Sequence, residues 1–275
     1  MNNHRPRKRF GQNFLVDLGT IERIVRYINP QPEDNVVEIG PGKGAITSLL
    51  ALRCNHLHVI EIDRDLVAIL QQQFADPEAT THDVTAHKVT IHQADALTVD
   101  FSSLAVTKPA RIVGNLPYNI STPLIFHLLN CHDHIQDMYF MLQNEVVERL
   151  IAQPGDKNYG RLSIMVQYYC QVDKLFEVPS SCFNPRPKVN SAIVSLKPHK
   201  PLPYIADNPD HLSQLVNRAF QQRRKTLHNA LKPFITTNAN IANVMRLPID
   251  TRLRPENLSV SDYVMLSNFL IAHQD

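Results

Sequence analysis

The segment Gly114-Asn115-Leu116-Pro117-Tyr118-Asn119-Ile120-Ser121 holds the groups best suited to chemistry in this chain of 275 residues. The Asn115 carboxamide oxygen and a backbone carbonyl next to Pro117 can accept the hydrogens of an exocyclic amine. Such an amine, adenine N6 for instance, is a poor nucleophile because its lone pair is delocalised into the ring. Holding it toward an electrophilic methyl keeps electron density on nitrogen. Pro117 has no N–H and its ring fixes the turn. Tyr118 offers a face on which a base can stack. If the methyl sits on a sulfonium, a neutral thioether leaves, no strong base is required, and in-line positioning and electrostatics do the work. A base within a helix or stacked loop must be extruded to reach such a pocket. Phe183, in Cys182-Phe183-Asn184-Pro185-Arg186-Pro187-Lys188, is the candidate second aromatic wall. The bland readings stay open: Asn-Leu-Pro-Tyr-Asn is also good turn chemistry, and Phe183 would serve equally as a buried loop anchor.

A second group surrounds Glu38-Ile39-Gly40-Pro41-Gly42-Lys43-Gly44. Glycines here let the backbone turn tightly and lie close to a ligand, and the following helix presents free N–H groups. Glu61 comes twenty-one residues after Gly40, at the end of the next strand, where an acid accepts hydrogen bonds from ribose hydroxyls. A third strand ends near Asp95, which is placed to accept from a cofactor's adenine amine, although alone it would suit a helix cap or loop. The spacing is Gly-x-Gly-x-Gly with an acid two residues ahead. The dinucleotide fingerprint expects Gly-x-Gly-x-x-Gly, and no Gly-Lys-Ser/Thr of a Walker A loop is present. The pattern is similar to the S-adenosylmethionine loop of Rossmann-like methyltransferases.

These groups need a scaffold that brings strand ends together. Short apolar runs at 36–39, 58–62, 89–93, 111–113 and 137–142 read as strands, and 45–52, 64–74 and 122–129 as intervening helices. Strands alternating with helices imply parallel pairing with right-handed crossovers, hence an open, doubly wound α/β sheet. Further helices are expected at 145–151 and 162–169. Strands at 175–178 and 192–196 suggest an antiparallel hairpin at one edge. The linker at 197–203 carries three prolines, which resist both helix and sheet. Beyond it only helical patterning follows, with Leu212, Leu215, Val216 and Ala219 on one face and Tyr263, Leu266, Leu270 and Ile271 on another. The expected division is 1–200 for the sheet domain with its N-terminal arm and 201–275 for a small all-α domain.

The net charge of +2 conceals an uneven distribution. Residues 1–16 carry four basic residues and no acid, 17–181 carry 12 basic and 20 acidic, and 182–275 carry 12 basic and 6 acidic. Basic ends flanking an acidic body suit a polyanion, nucleic acid before membrane surface; a solvated helix and a basic tail would give the same count. The composition, 43% hydrophobic and 20% charged, excludes disordered, collagen-like and coiled-coil classes. Cys54, Cys131, Cys170 and Cys182 form no Cys-x-x-Cys, so reduced thiols in a cytoplasmic protein are expected and no metal site is written. No secretory signal opens the sequence, and its best apolar stretch, 112–131, is broken by glycine, asparagine and proline, so no membrane span is expected.

Taken together, these motifs resemble those of the KsgA-type ribosomal RNA adenine dimethyltransferases of bacteria. The resemblance runs over nearly the whole chain. It includes Arg7-Lys8-Arg9-Phe10-Gly11-Gln12-Asn13-Phe14-Leu15, Val37 to Gly42, Gly114 to Ser121, Phe183 to Ala192, and Gln222-Arg223-Arg224-Lys225-Thr226. It implies a Rossmann-like methyltransferase domain with a helical C-terminal domain. It also implies an S-adenosylmethionine site of Asn13, Leu15, Gly40, Gly42, Glu61, Asp95 and Asn115, with no metal. Asn115, Leu116, Pro117, Tyr118 and Phe183 would form the catalytic set. Arg7, Lys8, Arg9, Arg186, Lys188, Arg223, Arg224 and Lys225 would contact RNA. The implied reaction dimethylates N6 of two adjacent adenosines in a hairpin loop near the 3′ end of 16S rRNA, in the small ribosomal subunit, by a monomer. A 23S rRNA adenine-N6 methyltransferase and a ribosome-assembly factor with incidental methylation are the competing readings.

Overall fold

The protein is described from a computed structural model over residues 12–74, 88–105, 108–235 and 249–273. Arg7, Lys8 and Arg9 lie outside the described residues. Two compact units emerge. One takes the described residues up to Val147 together with Asp173–Pro198; the other takes Glu148–Val172 together with those from His199 onward.

The first unit is built on a seven-stranded sheet. Its strands are β2 (Asn35–Ile39), β3 (His56–Glu61), β4 (Lys88–Gln93), β5 (Ala110–Asn115), β6 (Ile135–Gln143), β7 (Cys170–Val178) and β9 (Ser191–Pro198), in the spatial order β4-β3-β2-β5-β6-β9-β7. The first five pair in parallel, and β9 runs antiparallel to β6. All five residues of β2 are buried, as expected of a parallel strand covered on both faces. This is the doubly wound α/β sheet that the alternating pattern implies. Strand order reverses between β2 and β5, which opens a crevice at their carboxyl ends.

Helix α1 (Leu18–Ile28) precedes the sheet, where the strand–helix alternation predicts no element. Its pattern is nonetheless regular: Ile21, Ile24, Val25 and Ile28 are its buried face, and the Asp17 side chain caps it by accepting from the Thr20 N–H. Helices α2 (Thr47–Ala51), α3 (Arg64–Gln73), α4 (Phe101–Leu104) and α5 (Ser121–Leu129) fill the crossovers. A two-stranded ribbon, β1 (Phe14–Leu15) with β8 (Phe183–Asn184), joins segments far apart in sequence, pairing Leu15 with Phe183 and Phe14 with Asn184. At the opposite end of the sheet, buried Arg111 is held by Asp34 at 2.7 Å, Asp137 at 2.8 Å and the Ile28 carbonyl at 2.7 Å. An ion so placed requires this degree of pairing.

Helix α6 (Asn144–Ile151) carries the chain out of the sheet. In the second unit α7 (Arg161–Tyr169) packs with α8 (Pro209–Gln221) and α10 (Val260–Ala272), and α9 (Leu227–Ile235) packs on α8. The apolar faces read from the sequence are buried here at Leu212, Leu215, Val216, Ala219, Tyr263, Leu266 and Leu270. Among the described residues no helix is long and apolar enough to cross a membrane.

Candidate active site

The crevice at the strand-order reversal is a cavity of about 240 Å³ within the first unit. Its walls are the loop from β2 to α2, the end of β3 at 60–62, the turn after β4 at 94–96, the loop after β5, and residues 12–15 with Phe183. Gly42 has φ +61°, and a Cβ there would lie 2.9 Å from the Phe14 ring, so this turn accepts only glycine without rearrangement. Gly114 is required by space rather than dihedral: a Cβ would meet Leu116 Cδ2 at 2.7 Å and the Ile39 carbonyl at 2.9 Å. The Lys43 ammonium lies 5.1 Å from the centre of the Phe14 ring.

Two carboxylates face this cavity with little solvent. Glu61 is buried, and Oε1 accepts from the Asp63 N–H at 2.8 Å. Burial raises its pKa, while hydrogen bonds from the backbone at Asp63, Gly42 and Ile62 pull it back down. Glu38, 2% exposed, has no partner for Oε2, and burial pushes its pKa up to about 7. In the sequence pattern Glu38 figures only as the acid ahead of the glycines. That position marks it for a ligand-facing role, and burial supplies the reason. Asp95 also lines the cavity, and its Oδ1 accepts from the Leu97 N–H at 3.0 Å, so it is at once the loop cap and a cavity acid.

The chemical loop is ordered through its backbone. Leu116 N–H donates to the Met141 carbonyl on β6 at 3.2 Å. The Pro117 carbonyl accepts from both Ile120 and Ser121 N–H groups at 3.1 Å. Its two lone pairs are thus used within the turn. The Asn115 amide nitrogen donates to the Asn13 carbonyl at 3.2 Å, which directs Oδ1 to act as an acceptor elsewhere. Asn13 and Leu15, which chemistry alone does not single out, are brought to the cavity by the β1–β8 ribbon, and the Gln12 side chain bonds Asp63 at 2.9 Å. Tyr118 is half-buried on the cavity wall. Phe183 lines the cavity and is 5% exposed in the apolar cluster with Leu15 and Ile21.

The basic residues fall elsewhere. Arg186 and Lys188 are exposed on the loop after β8, with Arg186 Nε donating to Ser180 Oγ at 2.9 Å. Arg223, Arg224 and Lys225 are exposed on the second unit. Arg223 donates to the Lys157 carbonyl at 2.7 Å and pairs with Glu256 at 3.4 Å. Among the described residues no group of three or more His, Cys, Asp or Glu side chains could hold a metal ion.

Two buried acids, one with an oxygen lacking a partner, fit a ligand that is cationic at one end and carries a ribose and an adenine at the other. The fold and this cavity define a Rossmann-like S-adenosylmethionine-dependent methyltransferase. The chain belongs to the ribosomal RNA adenine dimethylase family, whose sequence model matches residues 3–272. It is 57% identical over 271 residues to the ribosomal RNA small subunit methyltransferase A of Saccharophagus degradans, covering 98% of this chain and 96% of that one. It is 55% identical over 268 residues to the protein of the same name from Marinobacter nauticus, covering 97% and 92%. The crystal structure of a dimethyladenosine transferase from Plasmodium falciparum superposes with a TM-score of 0.76 at 28% identity, covering 92% of this chain and 95% of that one. The 23S rRNA methyltransferase ErmE, at 22% identity and a TM-score of 0.69 over 94% of this chain and 100% of that one, shares the fold.

Proposed function

We propose that this enzyme transfers two methyl groups to N6 of each of two adjacent adenosines in the hairpin loop near the 3′ end of 16S rRNA. It acts in the cytoplasm as a monomer, on the small ribosomal subunit or its precursor, and so contributes to subunit biogenesis. The bound donor supplies a methyl on a sulfonium, which departs as a neutral thioether. Glu38 holds the cationic amino-acid end, Glu61 the ribose hydroxyls and Asp95 the adenine amine, with Asn13, Leu15, Gly40 and Gly42 shaping the cavity around them. Asn115 Oδ1 and the Leu116 carbonyl accept the N6 hydrogens, Pro117 fixes the turn, and Tyr118 and Phe183 flank the extruded base. Arg7, Lys8, Arg9, Arg186, Lys188, Arg224 and Lys225 contact the RNA backbone, and Arg223 contributes from its tethered position.

The observation that carries this reading is the bond from the Asn115 amide to the Asn13 carbonyl. It leaves the carboxamide oxygen as acceptor, the polarity an amine substrate requires. The names borne by the similar bacterial proteins support the small-subunit target. Incubation of the protein and labelled donor with small and large subunits lacking the modification tests the assignment. Label in small-subunit RNA as N6,N6-dimethyladenosine is expected; label in large-subunit RNA alone, or in no adenosine, overturns it.

A further inference from the structure

Two successive transfers to one nitrogen pose a problem of orientation. Each forms a carbon–nitrogen bond at N6 and breaks the donor's carbon–sulfur bond, whose electrons stay on the thioether sulfur; an N6 proton passes to solvent. An unmodified adenosine offers two N6 hydrogens, one for Asn115 Oδ1 and one for the Leu116 carbonyl. After the first transfer a single hydrogen remains and one anchor is gone, yet N6 must face the next methyl. Orientation then depends more heavily on the surface against which the base stacks.

That surface is held at both ends. At the backbone, the Tyr118 carbonyl accepts from Ser121 Oγ at 3.2 Å, within the turn closed by the Pro117 carbonyl. At the far end of the ring, the Tyr118 hydroxyl lies 3.2 Å from Ser191 Oγ. Ser191 is 1% exposed and is the first residue of β9, paired with Gln143 of β6; the Asn144 N–H donates to the adjoining Asn190 carbonyl at 3.0 Å. The hydroxyl partner is therefore fixed to the sheet. Rotation about χ2 would leave the phenol oxygen in place, but a swing about χ1 would carry it away, and the bond to Ser191 opposes that swing.

We propose that Ser191 is a positioning residue for the second methyl transfer. By holding the Tyr118 hydroxyl it fixes the χ1 position of the ring, and so the place where the monomethylated base finds its stacking partner, and favours the dimethylated product over the monomethylated one. The inference rests on the assignment of Tyr118 as the stacking surface for an adenosine methylated at N6.

The test uses Ser191→Ala and Tyr118→Phe, singly and combined, on small subunits lacking the modification. Reactions with excess donor are quenched over time, the RNA is digested, and N6-methyladenosine and N6,N6-dimethyladenosine are quantified. The ratio of the second rate constant to the first is expected to fall about tenfold in each variant, with monomethyladenosine accumulating. The double variant is expected to match the singles, because all three lack one and the same bond. An unchanged ratio overturns the proposal, even where both rates fall together, since that marks general damage to the fold. A double variant whose ratio falls by the product of the single effects overturns it as well. A wild-type protein that forms no dimethyladenosine overturns the proposed function itself, and this inference with it.

Discussion

Replacing Glu38 by Gln should remove a pH-dependent destabilisation of the ligand-free protein while weakening its hold on the donor. The Glu38 carboxyl is 2% exposed and Oε2 has no partner. Its pKa rises from an ordinary 4.5 to about 7, with burial the principal cause. Below pH 4.5 the group is protonated folded and unfolded, and it costs nothing. Between 4.5 and 7 the folded protein binds the proton more tightly than the unfolded chain, so stability falls as pH rises. Above pH 7 the penalty is complete, at about 1.4 kcal/mol for each pKa unit, or about 3 kcal/mol in all. Gln has nearly the same size and cannot ionise. Any fixed cost of burying its amide is independent of pH and cancels from the comparison. Urea unfolding of both ligand-free proteins from pH 4.5 to 8.5 reads the difference. The variant should gain about 3 kcal/mol on the wild type across that range and level off above pH 7. Parallel curves would refute the claim that burial raises the pKa of Glu38 in the folded protein. In the same variant the dissociation constant for the donor at pH 8 should rise tenfold or more, measured by calorimetry. Unchanged affinity would mean that Glu38 does not face the cationic end.

Asn115→Ala should abolish methyl transfer while leaving donor and RNA binding largely intact, and normal turnover would remove its assigned role. Neutralising Arg224 and Lys225 should reduce the slope of log binding constant against log salt by about one for each phosphate that those charges neutralise. Adding Arg223→Gln should change it less, because that side chain is already paired with Glu256 and the Lys157 carbonyl; an unaltered slope in the double variant would place those charges away from RNA. Arg111→Met removes the partner of Asp34 and Asp137 and should cost about 3–5 kcal/mol in urea unfolding; a loss under about 1 kcal/mol would contradict its role as a pinned buried ion.

Much of the sheet is legible in the sequence because buried parallel strands are written as short apolar runs between helical ones, and strand-end residues such as Glu61 and Asp95 follow from that order. Helix α1 is written there too, in the spacing of Ile21, Ile24, Val25 and Ile28, but it follows directly on the basic arm and stands outside the alternation that reveals the sheet. Other features have no local signal. The β1–β8 ribbon consists of two-residue strands joining Phe14–Leu15 to Phe183–Asn184, too short for any periodicity. The bond between Tyr118 and Ser191 spans 73 positions, and Ser191 looks like any serine at the start of a strand. The proline-rich linker marks one departure of the chain from the sheet unit, whereas the ends of the excursion Glu148–Val172 fall inside α6 and β7, where no Gly or Pro marks them. The basic pattern Arg223-Arg224-Lys225 is visible, but that Glu256 occupies the first of them depends on a fold-back of the second unit that composition does not encode.

The most direct test is a crystal structure with S-adenosylhomocysteine bound. The account predicts the product in the cavity between the Gly40 and Asn115 loops. Its amino group should lie at Glu38, its ribose hydroxyls at Glu61, its adenine amine at Asp95, and its sulfur toward Asn115 Oδ1. A product whose sulfur points away from Asn115, or one bound outside this cavity, would contradict it.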